Sequence, residues 1–207
     1  MNTERFSPIA LAVLALLYEE PMHPYRMQQL IKERGKDEVV NVRQRTSLYQ
    51  TIDRLLRTKL IAIRATAREE KWPERTIYEI TEHGRTTMLG WMREMLSIPT
   101  REFPAFPAVL AHLPLLTPAD ALIQLSQRAL ALTAEVERID AELREGMELI
   151  PRLFLLELEY LRAIVNTEFT WVQAIIAELA TGQLTWNAEW LRAIAAQFEH
   201  GAQPQHE

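Results

Sequence analysis

The sequence predicts a mainly α-helical chain in two parts: three helices, a two-stranded β-hairpin and a fourth helix over residues 1–96, then helices alone over residues 97–207. Three observations carry this reading. The hydrophobic period changes from helical to alternating and back within residues 46–96. Pro99, Pro104 and Pro107 interrupt the chain between two periodic regions. Charge divides at the same place: residues 1–95 carry 16 Lys and Arg against 13 Asp and Glu, net +3, and residues 96–207 carry 7 against 15, net -8.

The first helix is expected over residues 8–19. Ser7 supplies an N-cap, Pro8 fits the first helical position, and Ile9, Val13, Leu16 and Leu17 make one apolar stripe. A second helix runs from Tyr25 to Arg34, with Met27, Leu30 and Ile31 inward and Gly35 ending it. The third, Thr46 to Thr58, has Leu48, Ile52, Leu55 and Leu56 on one face and Ser47, Gln50, Arg54 and Arg57 on the other. Asp53 shares the polar side, where its charge repels phosphate. Leu60–Ala67 and Thr76–Thr81 are short and β-branched, joined by a charged tip from Arg68 to Arg75 that includes Trp72, which is expected to pack across the hairpin. Thr81 then caps a helix reaching about Leu96.

Beyond the prolines, Thr117-Pro118-Ala119-Asp120 is a helix start, and Leu122, Leu125, Ala129, Leu132, Val136, Ile139 and Leu143 form an a/d seam. After Gly146 and Pro151 another helix reaches about Ala180. It carries one apolar stripe through Leu149, Leu153, Leu156, Tyr160, Ile164, Trp171 and Ile175, and a second through Leu158, Leu161, Val165, Phe169, Val172 and Ile176. A helix apolar on two sides is buried on two sides, so one side is expected to meet a second subunit. A last helix spans Asn187 to Phe198.

This order of elements is that of a winged helix-turn-helix followed by a helical dimerisation region. The third helix, apolar behind and polar-basic in front, suits a major groove about 12 Å wide. Arg45, Thr46, Ser47, Tyr49, Gln50 and Arg54 are its expected DNA-facing residues. Tyr25, Arg43, Arg68, Lys71 and Arg75 are expected around it, the arginines and lysine reaching phosphate. Tyr25 either contacts the DNA backbone or packs within the domain, and packing is the favoured role. Trp91, Phe103, Phe106 and Trp171, with Trp186 and Trp190, are candidates for an aromatic effector pocket or for ordinary core.

Other chemistries find little support. With no cysteine there is neither a disulfide framework nor a thiolate metal site, which fits a cytoplasmic protein. His23, His83, His112, His200 and His206 lack metal-pair spacing, so no metal or cofactor is expected. No glycine-rich phosphate loop or nucleophile elbow is present, and no enzyme is expected. No apolar run reaches the length of a membrane span, Ile9–Tyr18 included, and Glu19 and Glu20 follow that stretch with no small-residue cleavage site, so no signal peptide is expected.

Several local motifs point to a family. His23-Pro24-Tyr25, Ser47-Leu48-Tyr49, Arg54-Leu55, Leu60-Ile61, and Pro73, Arg75, Tyr78 and Ile80-Thr81-Glu82-His83-Gly84-Arg85 together resemble the PadR family of transcriptional repressors. The resemblance covers residues 9–96 closely and continues more loosely through Trp91 and Glu102-Phe103-Pro104. It implies a homodimer that binds a pseudo-palindromic double-stranded operator and is released by a small, often aromatic, ligand. The chain departs from the family pattern at Pro24, Gln50 and Lys59. Gln50 adds a side chain able to pair with adenine. Lys59 stands where the family has the glycine that a left-handed helix end prefers, so the third helix is expected to end differently. The alternative reading keeps the winged-helix shape but assigns the acidic helices to binding a protein partner.

Overall fold

Ser7 begins α1 (Pro8–Glu19): its hydroxyl accepts the Ala10 N–H at 3.2 Å while Pro8 fills the first position. The computed structural model describes residues 6–40, 45–67 and 75–201, and the chain divides into two units, Met1–Arg101 and Glu102–Glu207. In the first unit, α2 (Pro24–Glu33) starts one residue before the predicted position. The reason is His23, whose Nδ1 accepts the Arg26 N–H at 3.1 Å and so acts as the cap. The third helix, α3 (Arg45–Arg57), turns Leu48, Ile52 and Leu55 inward. These meet Val13, Leu14 and Leu17 of α1 and Met27, Leu30 and Ile31 of α2 in one core.

The end of α3 corrects an expectation. Lys59 does not divert the helix; it adopts the left-handed conformation itself, at φ 59°. Its N–H donates to Leu56 O and the Leu60 N–H donates to Leu55 O, both at 2.9 Å, the hydrogen-bond pair of a glycine-type helix stop. The two bonds and the burial of Leu60 and Ile61 hold a geometry that costs a non-glycine residue about 1 kcal/mol. Lys59→Gly is therefore expected to raise stability by up to about 1 kcal/mol in urea denaturation, less the freedom glycine adds to the unfolded chain.

The hairpin β1 (Ile61–Ala67) and β2 (Arg75–Ile80) is antiparallel, with Ile61 opposite Ile80 and Ile63 opposite Tyr78. Arg64 is an extra residue in a bulge, because Ala65 pairs with Ile77. Met22 joins the hairpin from outside: it donates to Tyr78 O at 3.1 Å and accepts from the Tyr78 N–H at 3.0 Å. Local pattern shows only two prolines there.

The fourth helix, α4 (Glu82–Ser97), is locked to the end of α3. The Thr81 hydroxyl accepts the Gly84 N–H at 3.0 Å and donates to Lys59 O at 2.8 Å, and the Thr81 N–H donates to Leu60 O at 3.0 Å. Gly84 is packed so closely that a Cβ there would stand 2.0 Å from Leu60 O. The Thr81-Glu82-His83-Gly84 motif is thus a cap plus a close backbone approach.

In the second unit, α5 (Ala105–Leu110) precedes α6 (Pro118–Leu149), α7 (Leu156–Thr181) and α8 (Ala188–Gly201). Thr117 caps α6 through the Asp120 N–H at 3.2 Å, and Asn187 caps α8 through the Trp190 N–H at 2.8 Å. The helix predicted to break at Gly146 runs through it to Leu149. Gly146 is there for space: a Cβ would lie 2.6 Å from Leu155 Cδ2, and Leu155 is buried. The a/d seam packs inside the chain, antiparallel to α7. Leu125 and Ala129 lie with Val172, and Ile139 and Leu143 lie with Leu155. Arg128–Glu168 (2.5 Å) and Arg162–Asp140 ion pairs cross between the two helices. The other stripe is mostly uncovered: Leu153, just before α7, and Leu156, Tyr160, Ile164 and Trp171 on it are exposed, while Ile175 packs on the core.

Candidate nucleic-acid interface

The surface of α3 opposite the core carries the residues expected to face DNA. Tyr49 is 52% exposed, Gln50, Asp53 and Arg57 are exposed, and Ser47 is half-buried. The back of the helix is fixed by Leu48, Ile52 and Leu55, each nearly fully buried. Thr51 is buried beside them, its hydroxyl donating to Ser47 O at 2.8 Å. A helix seated this firmly presents Tyr49 and Gln50 from a rigid backbone, as base-reading requires.

Arg54 is placed differently from its helical neighbours. Its Nη2 donates to the Ser7 hydroxyl at 2.9 Å, so it reaches back to the start of α1. Ser7 therefore both caps α1 and anchors α3. No local signal in the sequence could have revealed this contact, since 47 positions separate the two residues. The guanidinium retains donors beyond the one bound to Ser7.

Around α3, Tyr25 stands 61% exposed at the start of α2, its ring stacked on His23 at 6.2 Å and 28°. Tyr78 lies on the wing side, half-buried, where burial and then the Asp53 charge push its phenol above the ordinary range. Arg64, in the bulge, is exposed and 3.9 Å from Glu79. Lys59, beside the helix end, is an exposed cation whose charge faces solvent next to α3. Arg45 and Thr46 open α3 and Arg75 opens β2; their side chains lie outside the described residues, as do Arg43, Arg68, Lys71 and Trp72 entirely.

The aromatic candidates separate. Trp91 belongs to the first unit, packed on its core with its ring edge-on to Phe6 at 5.8 Å. Phe106 and Trp171 meet in the second unit, edge to face at 6.1 Å, with the Arg128 guanidinium 3.6 Å over the Phe106 ring. Phe103 is 84% exposed. Trp186 is held by its Nε1–H donating to Leu116 O at 2.8 Å. Among the described residues no cluster of three or more acidic or histidine side chains is placed to hold a metal ion, and no helix is long and apolar enough to cross a membrane.

Comparison with known proteins adds the deciding observation: residues 13–89, the span from α1 through the wing into α4, match the Transcriptional regulator PadR-like family. This winged-helix domain is a PadR-like domain. The family is one of transcriptional regulators, not of enzymes. Solved structures share the fold across nearly the whole chain. Bacillus subtilis PadR in complex with operator DNA is 17% identical at a TM-score of 0.69, covering 84% of this chain and 99% of that one. The same protein in complex with p-coumaric acid is 16% identical at 0.68, covering 83% and 98%. A PadR-like transcriptional regulator from Bacillus cereus is 14% identical at 0.56, covering 84% and 99%. No curated protein sequence matches the chain.

Proposed function

We propose that the chain is a dimeric transcriptional repressor of the cytoplasm that binds a pseudo-palindromic operator through α3 and is released by a small, aromatic ligand. The observation that carries the proposal is the exposed Tyr49–Gln50 face on a helix whose back is sealed into the core of a PadR-like domain. Gln50 has the donor and acceptor that pair with adenine in the major groove. Lys59, Arg57 and Arg64 supply exposed positive charge nearby for phosphate, and Arg45, Arg68, Lys71 and Arg75 are assigned to the same task. The p-coumaric acid complex of the Bacillus subtilis relative supports an aromatic effector. Phe106, beneath the Arg128 guanidinium that pairs with Glu168, and Trp171 form the aromatic cluster in the helical unit best suited to one.

The dimer rests on the uncovered α7 stripe. The a/d seam is already satisfied by α7, so the exposed Leu153, Tyr160 and Ile164 are the face a second copy would cover. Tyr160→Asp with Ile164→Asp is expected to yield a folded monomer in sedimentation analysis, with operator affinity reduced more than tenfold. A dimer that persists would place the interface elsewhere. For the function itself, a footprint on DNA upstream of the chain's own gene is expected to show two protected half-sites about one helical turn apart, weakening steeply with salt. Uniform, sequence-independent protection would contradict it.

A further inference from the structure

The outward side of α1 is unusual for a surface. Apart from Glu19 and the Tyr18 hydroxyl the helix is wholly apolar, and Pro8 and Ala15 are exposed while Leu11 and Ala12 are half-exposed. Because two alanines sit where larger side chains would fill the space, a groove of about 430 Å³ opens between α1, α2 and the turn at Lys36–Val40. That volume lies within the range of small-ligand sites, about 300–1,000 Å³. Its walls are aliphatic: Leu11, Leu16, Leu30, Ile31, Val39 and Val40, with Phe6 as the single aromatic. The charged residues lining it are Glu19, Arg34 and Lys36, and Glu20 and Glu33 also lie within electrostatic reach of Arg34. Arg34 is held by Glu19 in a two-pronged pair at 2.6 and 2.7 Å, yet both side chains are more than two-fifths exposed. An ion pair so exposed contributes little, so its guanidinium is open to exchange for another carboxylate.

We infer that this groove binds an aliphatic carboxylic acid, its chain lying between Ala12, Ala15 and Ile31 and its carboxylate taken by Arg34 in place of Glu19, with Lys36 adjacent. Aliphatic walls with one cationic end match an acyl chain with one anionic end. The site is distinct from the Phe106–Trp171 cluster. Its effect on DNA, which alone rests on the repressor reading, follows from its neighbours. Phe6 and Pro8 line the groove and flank Ser7, the residue that holds Arg54 of α3. A chain that displaces Phe6 pulls on Ser7 and so on the recognition helix.

The test uses the full chain and two probes, decanoate and the uncharged decanol, titrated by calorimetry without DNA. Decanoate is expected to bind with one site per chain. Decanol is expected to bind at least tenfold more weakly, and Arg34→Leu to weaken decanoate by a similar factor. Ala15→Phe, which fills the groove from an exposed position, is expected to abolish binding while circular dichroism and the unfolding midpoint stay near those of the parent. Decanoate that fails to bind, or that binds Ala15→Phe and Arg34→Leu as it binds the parent, overturns the proposal. A change of oligomeric state in Ala15→Phe also overturns it, by showing that a second copy covers the groove. Decanoate binding in this pattern by a chain that has no selective DNA affinity would leave the site standing and remove the repressor reading instead.

Discussion

Gly84→Ala is expected to destabilise the winged-helix domain by about 3 kcal/mol and to cost it DNA binding at physiological temperature. The added methyl group would lie 2.0 Å from Leu60 O and 2.9 Å from Ile80 Cγ1. A flexible side chain can move away; a backbone carbonyl that already accepts the Thr81 N–H at 3.0 Å cannot. Relief would require α4 to withdraw from the end of α3. That would break the Thr81 contacts to Lys59 O and Leu60 O and unseat Met88 from the core. Gly90, on the same helix with nothing within 4 Å of its Cβ position, is the control. Gly90→Ala is expected to be neutral or stabilising by up to about 1 kcal/mol. Urea denaturation followed by circular dichroism separates the two, and equal effects would show that the close approach is not what fixes α4.

Tyr49→Ala combined with Gln50→Ala is expected to lower affinity for the operator by about 100-fold, since a good base contact is worth about 1–3 kcal/mol of discrimination. Weak binding to unrelated DNA should change much less, because it depends on phosphate contacts. Stability should be unaffected, as both residues are exposed and Leu48, Ile52 and Leu55 remain in place. Arg54→Ala is a poorer probe of reading. Removing it also breaks the bond to Ser7, so loss of affinity and loss of the α1–α3 anchor would be measured together. Fluorescence anisotropy on specific and scrambled duplexes, with the unfolding midpoint as control, reads these changes. An unchanged ratio of specific to scrambled affinity would show that the exposed face of α3 does not read bases.

The parts of the fold legible in sequence are those written in short-range chemistry. Ser7, Thr81 and Thr117 cap the helices assigned to them because a hydroxyl needs only the N–H three residues on. The back of α3 was legible from the spacing of Leu48, Ile52 and Leu55. What sequence misled on was settled over longer range. Gly146 looks like a stop, yet its small size admits Leu155 and the helix continues. Lys59 looks incompatible with a left-handed turn, yet two backbone hydrogen bonds and the burial of Leu60 outweigh its preference. The pairing of Met22 with Tyr78, and of Arg54 with Ser7, had no local signature at all. For the site, the exposed Tyr49 and Gln50 followed from helical periodicity, whereas the separation of Trp91 from Phe106 and Trp171 depended on tertiary packing.

The central claim, that α3 reads an operator as half of a two-fold pair, is tested most directly by selecting binding sites from a pool of random duplex DNA with the purified full chain. Enrichment of one pseudo-palindrome with half-site centres about 10 base pairs apart is expected, with loss of that enrichment in the Tyr49→Ala, Gln50→Ala chain. Enrichment of no sequence, or of the same sequence by the substituted chain, would contradict it.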